Sequence, residues 1–316
     1  MDPIILPRIS DQKPLVSVVS ITYNHEPYIR DCLEGFLMQK TNFPVEVIIH
    51  DDASTDHTAD IIREYYEKRP DLFHVIIERE NQYSQHKPIM APLHEMVQGK
   101  YIALCEGDDY WTDPLKLQKQ FDFMESHPDC SLCFHNIVEK EEIDKTTPHM
   151  YFSFGYRSAS DIFLKWTIPT CSSFFKKEVG DLYNQIRTKD NRFVYGDIVV
   201  FLSATRIGKV WGDDQVMAVY RRHANSATTG HPKDFLTRYC NHNLAISEAF
   251  PDLKNIADKF ICKSIYSALP IKIIKFDVKE LLTALRLLKN VKTINAHICG
   301  AKEAFAERLH NCFSLF

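Results

Sequence analysis

The densest chemistry in the chain is a run of acids, Glu106, Asp108 and Asp109, in the stretch YIALCEGDDYW. Like charges this close repel and raise one another's pKa unless a cation lies among them. Hard carboxylate oxygens in a short loop suit Mg²⁺ or Mn²⁺, which takes one or two carboxylates and fills its other positions with substrate phosphates. Helix caps and solvated acids are the plainer alternative. A second acidic stretch, VIIHDDASTDHT, carries Asp51 and Asp52. Thr55 or Asp56 can cap the helix that follows, and neither Asp51 nor Asp52 is needed for that. A carboxylate there can accept hydrogen bonds from a pyrimidine N–H or ribose hydroxyls. A third stretch, SVVSITYNHE, offers Thr22, Tyr23 and Asn24, an aromatic face with side-chain donors. Aromatic face, base-reading acid and metal-binding acid are together what a nucleoside diphosphate requires. Neither GxGxxG nor GxxxxGK[ST] occurs, so phosphates must be held by metal and side chains.

The elements that must position these residues follow from pattern. PLVSVVSITYN, VEVIIH, FHVIIERE and YIALC read as buried strands, with helical periodicity over about 26–39, 56–68, 91–98 and 114–126. Strands separated by such helices make βαβ units and a doubly wound, mostly parallel sheet. Ligands then bind beyond the carboxyl ends of the strands, where all three polar clusters fall. Further strands are expected over 131–138, 171–176 and 209–220, and helices over 160–166 and 198–205. From about Leu236 the chain reads as helical, with Val278, Leu281, Leu282, Leu285 and Leu288 on one face.

In their order and spacing, SVVSITYNHE, VIIHDDASTDHT and GKYIALCEGDDYW resemble glycosyltransferase family 2 over roughly residues 14–225. The resemblance implies an α/β GT-A fold and an inverting, metal-dependent transferase that uses nucleotide-diphospho-sugars. It implies a catalytic domain over 1–230, with a donor half at about 14–125 and an acceptor half at 126–230, and a helical extension over 231–316. Through it, Asp108 is expected to be the main ligand of Mn²⁺ or Mg²⁺, with Asp109 or Glu106 assisting. Glu106 stands where the family's acidic motif begins with Asp. Thr22, Tyr23, Asn24 and Glu26 are expected to line the nucleotide pocket, Asp51 and Asp52 to read uracil and ribose, and Ser54 and Gly107 to lie against the donor.

Val194–Asp197 resembles the family's Glu-Asp pair at the start of a helix beneath the acceptor. Gly196 replaces the first acid, leaving Asp197 as the expected general base and acceptor contact; a helix N-cap is its alternative. Tyr220–His223 with Ser226 resembles the loop that closes over the diphosphate, so Arg221, Arg222 and His223 are expected to neutralise the departing UDP. Trp111 is expected either in the core or in the acceptor floor. Between the third strand and the acidic turn, ENQYSQHKPIMAPLHEMVQGK departs from the family's pattern, keeping Asn81 and Gly99 at matching places.

Bulk properties narrow the partners. A net charge of −4 argues against a binder of nucleic-acid phosphates. Residues 233–316 carry 13 Lys+Arg against 8 Asp+Glu, which leaves the first 232 residues at about −9. The basic extension is expected to pack on the catalytic domain, to form a dimer face or to touch the inner leaflet of a membrane. Nine cysteines without a framework, no signal peptide and no spanning segment point to the cytoplasm. Cys130 and Cys133, with His135 nearby, lack the second pair of a zinc site and read as buried thiols. The expected reaction is sugar transfer from a UDP-sugar to a glycan or lipid-linked acceptor in bacterial surface polysaccharide synthesis. A nucleotidyltransferase would carry a Gly-rich basic loop after the first strand, which is missing, and a non-catalytic carbohydrate binder would not need the acidic turn.

Overall fold

The computed structural model describes residues 2–85, 87, 89–141, 149–150, 154–165, 167–224, 235–274, 286–289, 291, 297 and 300–304. Apolar, β-branched runs without helical period make strands buried on both faces, and each such run in the first hundred residues does so. After a short β1 (Ile4–Leu6), β2 (Val16–Thr22) and β3 (Val45–Asp51) flank α1 (Ile29–Leu37). Then α2 (Thr58–Lys68) leads to β4 (Phe73–Ile77), and α3 (Met90–Met96) to β5 (Tyr101–Leu104). β2 pairs in parallel with β3 and β5, and β3 with β4, while β1 closes the edge antiparallel to β4. Ile29, Cys32, Leu33 and Phe36 of α1, and Ile61, Ile62 and Tyr65 of α2, share one apolar core with Val16, Val47 and Val75. Their i, i+3, i+4 spacing puts them on one helical face.

The following elements are β6 (Tyr110–Trp111), α4 (Lys116–Ser126), β7 (Cys130–Glu141), β8 (His149–Met150) and β9 (Gly155–Arg157). Next come α5 (Ala159–Lys165), β10 (Phe174–Lys176), α6 (Lys177–Arg187), α7 (Gly196–Ile207) and β11 (Lys209–Arg222). Among the described residues the strands form one sheet in the order β1-β4-β3-β2-β5-β10-β7-β11-β6, with β8 on β7 and β9 on β11. β10 runs antiparallel to both β5 and β7, β7 and β11 are parallel, and β6 is antiparallel to β11. The doubly wound parallel core thus continues into a mixed half. α6 is a helix that the sequence pattern did not identify. Its Gly180 weakens helical propensity, and it is there because a Cβ would collide with the His94 ring.

The chain divides into two compact units, residues 1–184 with 203–226, and residues 185–202 with 227–316. Every strand among the described residues lies in the first. In the second, α8 (Phe235–Ala249) and α9 (Lys254–Ile274) pack through Cys240, Leu244, Ile261, Cys262 and Ile265, joined by Leu287 and Val291. Val278, Leu281, Leu282 and Leu285 of the expected amphipathic helix, and also Trp166 and Ser226, lie outside the described residues. No helix among the described residues is long and apolar enough to cross a membrane. Cys130, Cys133 and His135 are buried within β7, as a strand position predicts.

Candidate functional site

Parallel strands deliver their carboxyl ends to one edge of the sheet, the edge at which open α/β sheets bind ligands. Thr22 stands opposite Asp51 in the β2–β3 ladder, and Val19 opposite Leu104 in the β2–β5 ladder. The three polar loops therefore leave that edge side by side.

The loops after β2 and β3 are braced against each other. Asn24 Oδ1 accepts from the Thr55 amide at 2.8 Å, and Ser54 Oγ accepts from the Asn24 amide at 2.9 Å. Thr58 Oγ1 accepts from the His25 amide at 2.9 Å, Asp56 from the Glu26 amide at 3.1 Å, and Glu26 from the His57 amide at 3.2 Å. Asn24 and Ala53 adopt φ of 54° and 60°. Asparagine tolerates this region, whereas for alanine it costs about 1 kcal/mol; strain of this kind collects at ligand sites.

Asp51 is fully buried, and burial raises its carboxyl above the ordinary range while bonds from the Ser54 hydroxyl and amide pull it back. Asp52 is buried as well and reaches the next loop, accepting from the Gln82 amide at 2.7 Å and the Tyr83 amide at 3.0 Å. Asn81 Nδ2 completes the junction by donating to the Asp52 carbonyl at 3.0 Å. Tyr23 and Tyr83, on the loops that hold this pair of acids, are 43% and 58% exposed, leaving two open aromatic rings.

The acidic turn extends β5 along β2. The Cys105 amide donates to the Val19 carbonyl at 3.2 Å and the Gly107 amide to the Ile21 carbonyl at 3.0 Å. A Cβ on Gly107 would lie 2.6 Å from Thr22 Oγ1 and 3.1 Å from His25 Nδ1, so only glycine allows this approach. Both of those atoms are buried and have no hydrogen-bond partner among the described residues.

The two aspartates of the turn sit in opposite environments. Asp109 is 1% exposed; burial, then the charges of Asp108 and Glu106, push its carboxyl well above the usual range. Its Oδ1 accepts from the Arg221 amide at 2.8 Å. Burial alone would raise Asp108 too, but the hydrogen bond from His223 and the charge of His25 outweigh it and hold the carboxyl low. His223 Nε2 is 3.1 Å and His25 Nε2 3.8 Å from Asp108 Oδ2. Two groupings there have the make-up of a metal site, His25 with Asp108 and His223, and Glu106 with Asp108 and Asp109; within each, the donor atoms lie within 4.8 Å of one another.

The loops after β2, β3 and β5 thus lie side by side at one edge, and several of their residues have partners that the sequence did not suggest. Asn24, Glu26 and Ser54 brace loops. Asp52 engages the amides of Gln82 and Tyr83 with both carboxylate oxygens and so ties the two loops together. Arg221 is 4% exposed; its guanidinium donates to the Asp108 carbonyl at 2.9 Å, pairs with Asp31 and lies 4.3 Å over the Tyr110 ring. It anchors the turn and is not open to a diphosphate. Arg222, half exposed, pairs with Glu139 at 3.1 Å. Trp111 belongs to the core: it is 2% exposed, its Nε1 donates to the Cys171 carbonyl at 2.8 Å, and its ring packs 4.9 Å from Phe36. Asp197 stands in the first turn of α7, within the second unit. His25, Tyr28, Asp31 and Tyr110 were not foreseen. His25 was discoverable, because it lies inside the TYNHE run that marked the first loop.

Residues 17–177 match the family model described as glycosyl transferase family 2. The Mycobacterium tuberculosis protein Rv1520 is 39% identical over 247 residues, covering 75% of this chain and 68% of that protein. TuaG of Bacillus subtilis, a glycosyltransferase whose name assigns it to teichuronic acid biosynthesis, is 32% identical over 232 residues, covering 70% of this chain and 84% of its own. The crystal structure of Staphylococcus aureus TarS residues 1–349 with UDP-GlcNAc superposes with a TM-score of 0.62 at 16% identity, over 87% of this chain and 80% of that one. That likeness agrees with the GT-A architecture expected from the sequence.

Proposed function

The chain belongs to glycosyl transferase family 2, and we propose that it transfers a hexosyl group from a UDP-sugar to a hydroxyl of a glycan or lipid-linked acceptor, with inversion, in bacterial surface polysaccharide synthesis. The observation that carries this reading is the pair of acidic strand ends on one edge: Asp51 on loops with open aromatic rings, and Asp108 kept ionised between two imidazoles. The named activity of TuaG and the UDP-GlcNAc bound to TarS support the polysaccharide context and the donor class.

The residues fit a divalent ion, Mn²⁺ or Mg²⁺. Asp108 holds its charge, and His25 Nδ1 and Asp109 Oδ2 are buried polar atoms without a hydrogen-bond partner among the described residues. Asp108 would hold the ion, with Asp109 or Glu106 assisting; when bound it would neutralise charge on the diphosphate. Asp51 accepts from the base, the Tyr23 ring stacks on it, and the braced loops keep the pocket in shape. Arg222 faces the departing diphosphate. Asp197 takes the proton from the acceptor hydroxyl as that oxygen bonds to the anomeric carbon and the bond to the UDP oxygen breaks. Base catalysis of this kind contributes about 10²–10⁴-fold. We assign 1–230 to this chemistry and the basic helical extension, 231–316, to a dimer face or the cytoplasmic face of a membrane.

The test is product analysis by proton NMR with a panel of UDP-sugars, for wild type and Asp197→Asn with folding checked. The reading expects an inverted anomeric product and a loss of at least about 10²-fold in the variant. Retained configuration, or a variant within about threefold of wild type, contradicts it.

A further inference from the structure

We propose that His25 is a metal ligand, so that the ion sits on two imidazoles and one carboxylate, His25, His223 and Asp108, and that the site prefers Mn²⁺ or Co²⁺ over Mg²⁺. The inference rests on the metal-assisted donor site described above and concerns which atoms hold the ion.

An ordinary buried histidine satisfies at least one ring nitrogen by hydrogen bonding. At His25, whose side chain is part exposed, Nδ1 is buried without a partner among the described residues, and Nε2 stops 3.8 Å from Asp108 Oδ2, beyond hydrogen-bond reach. The spacing instead suits two ligands of one ion, since donors bound at about 2.1 Å lie about 3–4 Å from each other. The three donor atoms of His25, Asp108 and His223 all fall within 4.8 Å of one another.

The backbone prepares this placement. The His25 amide is pinned to Thr58 Oγ1 at 2.9 Å, the ring lies against the gap left by Gly107, and its neighbours are the edges of Tyr28 and His223 at 6.4 and 6.0 Å. An ion that also meets phosphates must sit on the open side of the turn. The His25 and Asp108 side chains each keep 15% exposure, whereas Asp109 keeps 1%. Each grouping has one buried member, His223 in the first and Asp109 in the second, and both share Asp108.

Donor chemistry then sets selectivity. Mg²⁺ favours oxygen ligands and dehydrates reluctantly, whereas imidazole nitrogen favours later divalent ions, with Co²⁺ bound more tightly than Mn²⁺. Three protein donors would leave the ion's other positions open to diphosphate oxygens.

The experiment is Mn²⁺ titration of the metal-stripped, full-length protein followed by electron paramagnetic resonance, with pulsed measurement of directly coordinated nitrogen. Isothermal titration with Mg²⁺ and Co²⁺ runs in parallel. Wild type is expected to show two coordinated nitrogens, and His25→Gln one. His25→Gln is expected to weaken Mn²⁺ and Co²⁺ binding by at least about tenfold while changing Mg²⁺ binding by less than about threefold. Fewer than two nitrogens on the wild type, or Mn²⁺ affinity in His25→Gln within about threefold of wild type, overturns the proposal. The wild-type nitrogen count decides the matter even where the variant folds poorly. Asp108→Asn separates the two claims: if it too leaves Mn²⁺ affinity unchanged, it is the metal site itself that fails.

Discussion

At the scale of single residues, burial and partner decide what each charge does. Asp108 and Asp109 are neighbours of the same type, yet one is held ionised by histidines and the other is sealed behind the turn by the Arg221 amide. Gly107 makes their placement possible. Gly107→Ala would drive a methyl to 2.6 Å from Thr22 Oγ1 and displace the turn; an ångström of misplacement is worth about 10²-fold in rate, so initial rates should fall by that order with the fold retained.

Lys116 shows the same logic in the core. It is fully buried, donates to Gln120 Oε1 at 2.7 Å, lies 4.0 Å over the Trp111 ring, and burial lowers its pKa to about 8. An unfolded lysine titrates near 10.4, so between pH 8 and 10.4 the unfolded chain binds more protons and wild-type stability rises with pH. The penalty is fully present below pH 8. Urea unfolding at pH 7 and pH 10 should therefore show wild type gaining on Lys116→Met by about 2–3 kcal/mol at the higher pH. A pH-independent difference would mean that Lys116 titrates in the folded chain as it does in the unfolded one.

At the scale of elements, the loops form a braced set in which each depends on the next. Asp52 is the hinge pin between the β3 loop and residues 81–83. Asp52→Ala leaves the amides of Gln82 and Tyr83 without their acceptor. That should cost about 1–3 kcal/mol, toward the low end because Tyr83 is exposed, with hydrogen exchange accelerating first at those two amides. This pairing also marks what the sequence could reveal. β2, β3, β4 and β5 were legible because continuous apolar runs have few other solutions, and the acids at their ends were legible because the strands end there. The different partners of Asp51 and Asp52 were hidden, since those of Asp52 lie some thirty residues away. The Arg221–Asp31 pair is hidden further still, across a separation of 190 residues. β6, two residues long, has no period to detect; it is a strand because Tyr110 and Trp111 find Val219 and Ala218 across the sheet.

At the scale of the whole molecule, the strand-built unit carries the excess of acid and the helical end of the chain the excess of base. An acidic unit attracts a nucleoside diphosphate poorly unless a cation accompanies it, so donor binding and metal binding should be linked. With Mn²⁺ present, UDP at a hundred times its Kd should stabilise the native state by about 2.7 kcal/mol. That is a rise in Tm of roughly 4 °C for a chain of this size, and EDTA should remove most of it. The most direct test of the account is calorimetric titration of UDP into wild type and Asp108→Asn, each with Mn²⁺ and with EDTA. The account predicts saturable binding by wild type only with Mn²⁺, and a loss of at least about tenfold in Asp108→Asn. Equal UDP affinity in all four titrations would contradict it.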